Sequence, residues 1–316
     1  MTLPMCSPNV HWPRFVSFGE ALTDMIRVAP DQWLSVNGGA PWNVARAMSS
    51  LGVPSAFGGA ISADVFGDAL LAASRLAGLD LRFIQPVPGK SPLLAMVHQL
   101  TPPQYFFVGD DSADLHFHPE ALPSGWRESL LWAHFGGISL AREPLATRLL
   151  VLAQSLKAAG KRISYDPNFR AAAMGRPYDE TLQAMCRLAD LIKVSDEDLR
   201  GLFRSDSIDA GLAQIRAWNP RALLLLTQGA EGATLWQDEQ VFHASPPQIE
   251  VVDSVGAGDA SMAGVLFSLM QGPDAEPGQH LRWAVAAGAA ACQSTGASAL
   301  SPAQIEALLP LVQIKA

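Results

Sequence analysis

The chain has 316 residues, 49% of them apolar, with 22 Lys and Arg against 30 Asp and Glu and a formal net charge of −8. Scattered basic residues in an acidic chain exclude the electrostatic footprint of a nucleic-acid or anionic-membrane binder, and no run of about 18 apolar residues is there to span a bilayer. Cys6, Cys186 and Cys292 are widely spaced without a C-x-x-C pair, and the first residues show neither a basic n-region nor an apolar h-region, so the expected compartment is the reducing cytoplasm.

In chain order, RFVSFG (14–19) reads as a first strand. PWNVARAMSSLG (41–52) reads as an amphipathic helix, because Val44, Ala47, Met48 and Leu51 fall at i, i+3, i+4 and i+7, with Pro41 in its first turn and Gly52 at its stop. SAFGGAIS (55–62), HFGGIS (134–139), KRISYD (161–166), LIKVS (191–195) and ALLLLTQG (222–229) read as further strands, and PLATRLLVLAQSLKAAG (144–160) as a helix ending in Gly. This alternation predicts an α/β fold with a mostly parallel central sheet flanked by helices. Segments 21–36 and 93–117 break the rhythm with short strand patterns and a Pro-Pro turn. They predict a small β-sheet lid, the other reading being irregular loops. Helices are expected over 257–271, 278–294 and 302–309. With no repeat or long linker, a single domain over 1–316 is expected.

The chemistry concentrates in DSVGAGDASMAG (253–264). If Gly256, Ala257 and Gly258 open the helix that continues through Ser261, Val265 and Leu269, their unpaired N–H groups lie at the positive end of the helix dipole and can hold a phosphate. Asp259 then sits in the first turn, able to accept a proton from an alcohol held beside that anion. Two other readings stand: an Asp that only complements the dipole, and a dinucleotide fingerprint, since GAGDAS is close to G-x-G-x-x-G/A. The fingerprint fits poorly. An acid within the loop repels a pyrophosphate, and no strand ending in Asp or Glu follows about 20 residues on. A Walker A loop is absent. Upstream, Gly38 and Gly39 precede a helix carrying Asn43 in its first turn, an amide able to donate and accept toward sugar hydroxyls, or simply part of a strand-to-helix turn.

Together, GGAPWNVARAMSSLG and DSVGAGDASMAG resemble the two signatures of the PfkB-type carbohydrate kinases, the ribokinase-like superfamily, in the right order and at opposite ends of the chain. DPNFR (166–170), KVSDED (193–198), TQGAEGA (227–233) and GAAACQSTGAS (288–298) match landmarks between them. The resemblance covers residues 15 to 310. It implies a ribokinase-like fold with a β-sheet lid, and transfer of the γ-phosphoryl group of ATP to a sugar hydroxyl. Residue by residue, it implies Asp259 as the base and the amides of Gly256, Ala257 and Gly258 as the anion hole. It implies Asp24, Gly39 and Asn43 as sugar contacts, with Arg170 able to reach a sugar hydroxyl or carboxylate or else to form a structural ion pair. Lys193, Ser195, Thr227, Gly229 and Gly232 would lie with Gly258 on the nucleotide side, where the 227–233 stretch also reads as a plain hairpin. Mg2+ would come with ATP, Asp198 being a candidate ligand or, with Ser195, a helix cap. A monovalent cation, K+, would sit by Asp253, Val255 and the 294–298 turn. In many members the lid pairs with a second subunit, so a homodimer is implied.

Several positions depart from the family pattern. Ser195 and Asp198 stand where Asn and Glu are usual, Trp42 replaces a small residue, and Val108 or Gly109 occupies the place of a lid Arg. A missing hydrogen-bond partner can redirect specificity strongly. The first signature is nearest to fructokinase-like members, so fructose is implied ahead of 2-keto-3-deoxygluconate or another sugar. A noncatalytic sugar or nucleotide sensor is the alternative of another class, and an NAD-linked oxidoreductase a more distant one. His116 and His118 are expected on the lid surface, and Trp126 and Trp132 in the core or an interface.

Overall fold

The computed structural model describes residues 11–100, 103–297 and 299–315. Cys6, Pro102 of the expected Pro-Pro turn and Ser298 of the 294–298 turn lie outside the described residues. The strands are β1 (Phe15–Phe18), β2 (Leu22–Ala29), β3 (Gln32–Gly38), β4 (Ser55–Ser62), β5 (Ile84–Val87), β6 (Leu94–Leu100), β7 (Pro103–Val108), β8 (Trp132–Gly136), β9 (Arg162–Asp166), β10 (Leu191–Ser195), β11 (Leu223–Thr227), β12 (Ala233–Gln237), β13 (Gln240–Ser245) and β14 (Gln313–Lys315). The helices are α1 (Ala40–Ser50), α2 (Val65–Leu76), α3 (Trp126–Ser129), α4 (Leu145–Ala158), α5 (Tyr178–Leu188), α6 (Asp196–Phe203), α7 (Ile208–Trp218), α8 (Ala257–Gln271), α9 (Pro277–Ala291) and α10 (Pro302–Leu308).

Among the described residues, the main sheet runs β14-β13-β12-β11-β10-β9-β8-β1-β4-β5. From β5 to β11 every neighbouring pair is parallel, and β12 to β14 add an antiparallel margin. β4 is buried at every position, as a strand covered on both faces must be, which is why SAFGGAIS carries no polar alternation. One face packs against α1, α8 and α9, and the other against α4, α5 and α7. α8 and α9 come together through small residues: a Cβ on Gly264 would stand 2.5 Å from the carbonyl oxygen of Trp283. α9 ends at Ala291, three residues short of the expected limit, because the Cys292 carbonyl turns away to accept the amides of Val252 (2.8 Å) and Asp253 (3.3 Å).

The lid is a second sheet of order β3-β2-β6-β7. It leaves the body after β1 and returns straight into α1. Its far limit differs from the expected 117. Gly109, at φ +146°, turns the chain off the lid, the Ala113 amide bonds to the Ser91 carbonyl (2.9 Å), and Leu115 and Phe117 enter the main core. His116 and His118 therefore belong to the body, where they meet Asp111 (2.6 Å) and Glu120 (2.8 Å) respectively and share no strand face. Trp126 and Trp132 are buried, as expected.

Trp42 fills the seam between α1, α2 and β4 at 1% exposure, and its Nε1 donates to Ser74 Oγ at 2.9 Å. Emptying that seam should cost about 3–5 kcal/mol of unfolding free energy in a Trp42→Ala variant, and less in Trp42→Phe. Denaturant titration checks this, and equal stability of Trp42→Ala and the parent would contradict it.

Candidate active site

The residues singled out above gather at the carboxyl ends of the parallel strands, the usual crevice of such sheets. Asp166 ends β9, Ser195 ends β10 and Thr227 ends β11, with Ser195 and Thr227 in direct register. The start of α8 faces them: a Cβ on Gly258 would stand 3.0 Å from Lys193 Nζ.

Gly256 occupies the N-cap of α8 at φ +81°, a left-handed conformation that favours glycine, and no side chain caps the helix. The Ala257 amide donates to Ser254 O at 3.2 Å. That corrects the expectation of an open Ala257 amide. Among the described residues, the amides of Gly258 and Asp259 stay as the first-turn donors without a partner earlier in the chain. Asp259 is the third helical residue, and its Oδ2 accepts from Asn43 Nδ2 at 2.9 Å. Burial raises its carboxyl to about 6; Asn43 opposes this, Asp166 adds to it, and the cations Lys193 and Arg170 oppose it. The carboxyl thus points into the shared crevice, not into the core.

Lys193, on β10, is buried and pairs with Asp166 at 2.8 Å. Burial alone would lower its amine, but Asp166, with Asp198 and Asp259 beyond it, holds it above the ordinary lysine range. The ammonium is therefore a permanent cation beside the α8 N-terminus. Asn168, at φ 45°, turns the chain after Asp166, and its amide bonds back to that carboxylate at 3.0 Å.

Asp24 lies on the lid strand β2, farther along than the end of the first strand. Burial raises its carboxyl to about 6, with Arg170 pulling it down. Arg170 Nη1 donates to Phe169 O (2.8 Å) and Asn168 O (3.4 Å) and enters no ion pair among the described residues. Its charge instead bears on both Asp24 and Asp259. Gly38 leaves room for Asp24, since a Cβ there would collide with Oδ2. Gly39, at φ +110°, runs close to the backbone of Glu20 (2.6 Å from O to a Cβ) and is the N-cap of α1. Sequence reasoning passed over Tyr105 and Phe107. Strand register puts Phe107 beside Ala95 and Asp24, and Tyr105 beside Val97 on the same face. The Tyr105 hydroxyl is raised by burial and feels Arg170, Asp198, Asp24 and Glu197, so it overlooks the same crevice.

On the other flank, Gly229 (φ +55°) and Gly232 (φ +97°) shape a short turn between β11 and the antiparallel β12, so this segment is a hairpin open to the crevice beside Thr227. Asp198 accepts the Phe169 amide and the Ser195 amide, both at 2.7 Å, and its own amide bonds Ser195 Oγ at 3.0 Å. This capping box spends a lone pair of each carboxylate oxygen on the backbone, the helix-cap role that the sequence offered beside a metal role. Asp253 is similarly committed, to the amides of Val255 (3.0 Å) and Gly296 (2.8 Å).

Residues 13–304 match the family described as pfkB family carbohydrate kinase. The chain belongs to that family. It is therefore a phosphotransferase acting on a sugar hydroxyl. It is 34% identical over 312 residues to a probable fructokinase-3 of Arabidopsis thaliana, covering 93% of this chain and 90% of the relative. Among solved structures it is similar to a fructokinase with bound ATP from Xylella fastidiosa, at TM-score 0.85 and 28% identity, covering 94% of this chain and 98% of the other. A fructokinase from Vibrio cholerae O395 with fructose, ADP and calcium ion bound gives TM-score 0.82 at 28% identity, covering 94% and 99%.

In this pfkB kinase, a methyl group at position 38 must displace the Asp24 carboxylate. Gly38→Ala should raise KM for the sugar about tenfold or more while leaving KM for the nucleotide within about twofold. Steady-state kinetics checks this, and an unchanged sugar KM would show that Asp24 does not grip the substrate.

Proposed function

We propose that the chain is an ATP-dependent fructokinase. The observation that carries the reading is the meeting of Asp259, the uncapped start of α8 and the buried Lys193 at one point of the crevice. The sugar would lie between lid and body, its hydroxyls held by Asp24, Asn43 and Arg170, with Tyr105 and Phe107 overhead. ATP would lie along the ends of β10 and β11, against Lys193, Ser195, Thr227 and the turn formed by Gly229 and Gly232. The acceptor oxygen attacks the γ-phosphorus, the bond to the bridging β-γ oxygen breaks, ADP leaves, and the hydroxyl proton passes to Asp259. Transfer of this kind needs positioning and charge stabilisation more than covalent help. The Gly258 and Asp259 amides and the Lys193 ammonium would meet the charge on the transferred group.

Among the described residues no group of three or more His, Cys, Asp or Glu could hold a metal ion. Mg2+ would come in on the nucleotide, held chiefly by its phosphates and water, which needs no such group. The ion would neutralise phosphate charge. Similarity to fructokinases over nearly the whole chain supports fructose as acceptor.

A homodimer through the lid is part of the same reading. Met25, Met96 and Phe106 stand side by side on the lid face opposite Asp24, and Trp33 and Val108 extend that face. Phe106 is 49% and Val108 46% exposed, an apolar sheet face that a second copy would cover. Phe106→Asp should then shift the sedimenting species from dimer to monomer; a parent that sediments as a monomer contradicts the pairing. No helix among the described residues is long and apolar enough to cross a membrane, and the proposed compartment is the cytoplasm.

The test is an ADP-release assay over fructose, 2-keto-3-deoxygluconate, ribose, glucose and a nucleoside. Fructose should give the highest kcat/KM. Asp259→Asn should lower kcat about 100- to 10,000-fold with a smaller change in sugar KM. Because the base must be ionised and its carboxyl is raised to about 6, kcat should be full above that pH and fall about tenfold per pH unit below it. Binding of ATP and fructose without turnover would return the sensor reading, and full activity in Asp259→Asn would remove Asp259 as the base.

A further inference from the structure

The first and last crossings of the chain between body and lid are both fastened to one short stretch, the 3-10 turn Ile138–Ala141 and the Arg142 that follows it, between β8 and α4. At the first crossing stands Glu20, buried at 3% exposure. Its Oε1 accepts the Ile138 amide at 3.2 Å, and its Oε2 accepts the Ser139 amide at 3.1 Å and the Ser139 hydroxyl. Gly137, at φ +68°, makes room, since a Cβ there would collide with that carboxylate.

At the last crossing the chain leaves β7 through Gly109. Val108 or Gly109 stands where a lid Arg is usual, yet a guanidinium reaches this place from the body. Arg142 donates through Nη2 to the Gly109 carbonyl and, at 3.1 Å, to Ser112 Oγ, and through Nη1 to Asp114. The ion pair with Asp114 is enclosed, at 15% and 1% side-chain exposure. Asp114 also accepts the Ser112 hydroxyl, and it opens the stretch that carries Leu115 and Phe117 into the main core, so it belongs to the body. A buried pair of this kind adds little net stability over apolar residues of the same volume. What it does fix is geometry, because the planar fork bonds a carbonyl, a hydroxyl and a carboxylate at set angles. Two and four residues before Gly109 on β7 come Phe107 and Tyr105, their rings 5.6 Å apart on the lid face that looks into the crevice.

We propose that Arg142 is a positioning residue for the acceptor sugar: by holding the Gly109 carbonyl to the body it sets the height of β7, and with it Tyr105 and Phe107, above the crevice. The inference rests on the fructokinase reading for its substrate. Arg142 itself touches neither sugar nor nucleotide.

Steady-state kinetics and amide hydrogen exchange test this together. Arg142→Met should raise KM for fructose about tenfold, leave KM for ATP within about twofold and lower kcat less than it raises the fructose KM. Arg142→Lys should fall between, since an ammonium can pair with Asp114 but cannot bridge all three acceptors. In the free protein, exchange in Arg142→Met should quicken over 104–108 and keep the parent's rate in β9, β10 and β11. Because Arg142→Met leaves Asp114 buried and unpaired, a second variant combines it with Asp114→Asn, which removes both charges and should show the same two effects. A fructose KM equal to the parent's, exchange over 104–108 no faster than the parent's, or exchange that quickens through the whole main sheet overturns the proposal. Failure of both variants to fold does so too, making Arg142 a residue of the fold alone. A parent inactive on every sugar overturns the fructokinase reading, and the exchange comparison still decides this one.

Discussion

A helix that begins on glycine with no side chain to cap it leaves main-chain donors facing open space, and the crevice is arranged around that deficit. Everything charged nearby is placed with respect to the start of α8. Lys193 is brought to Gly258 by β10 and held protonated by Asp166. Asp259 is drawn toward Asn43 across the α1–α8 contact. Glycine suits position 256, where φ is +81° and a Cβ would strike Ala297, and at 258 a Cβ would crowd the Lys193 ammonium at 3.0 Å. Donors that would be a liability in a structural helix are, on the proposed reading, the anion site of this one.

The carboxylates divide by the company they keep. Asp198 is spent on the backbone at the start of α6 and Asp253 on two loops. Asp166 neutralises Lys193. Asp24 and Asp259 are buried without a bonded cation, and both are raised to about 6. Burial raises the carboxyl of Asp166 as well, so what sets Asp24 and Asp259 apart is the lack of a bonded cation among the described residues.

Much of this was legible beforehand, and the failures have physical causes. SAFGGAIS and LIKVS could be bounded to the residue because strands buried on both faces read as mainly apolar runs without polar alternation. The capping role of Ser195 with Asp198 is local and visible as S-x-x-D. The end of the lid was not legible: the turn at Gly109 is fixed by contacts with Ser91 and the core, far away in sequence. Tyr105 and Phe107 were missed because strand register, set by pairing with β6, decides which aromatic side chains look inward.

The placement of Asp24 has a further meaning. It rides on the β lid, whereas Asn43, Arg170 and Asp259 belong to the body, and the two parts are joined through the glycine pair 38–39. On the proposed reading, a polyol that satisfies both sides at once would become the cross-link between them, shutting out solvent as it is gripped. Water, too small to span that gap, would gain no such grip, so idle hydrolysis of the nucleotide would be discouraged by geometry.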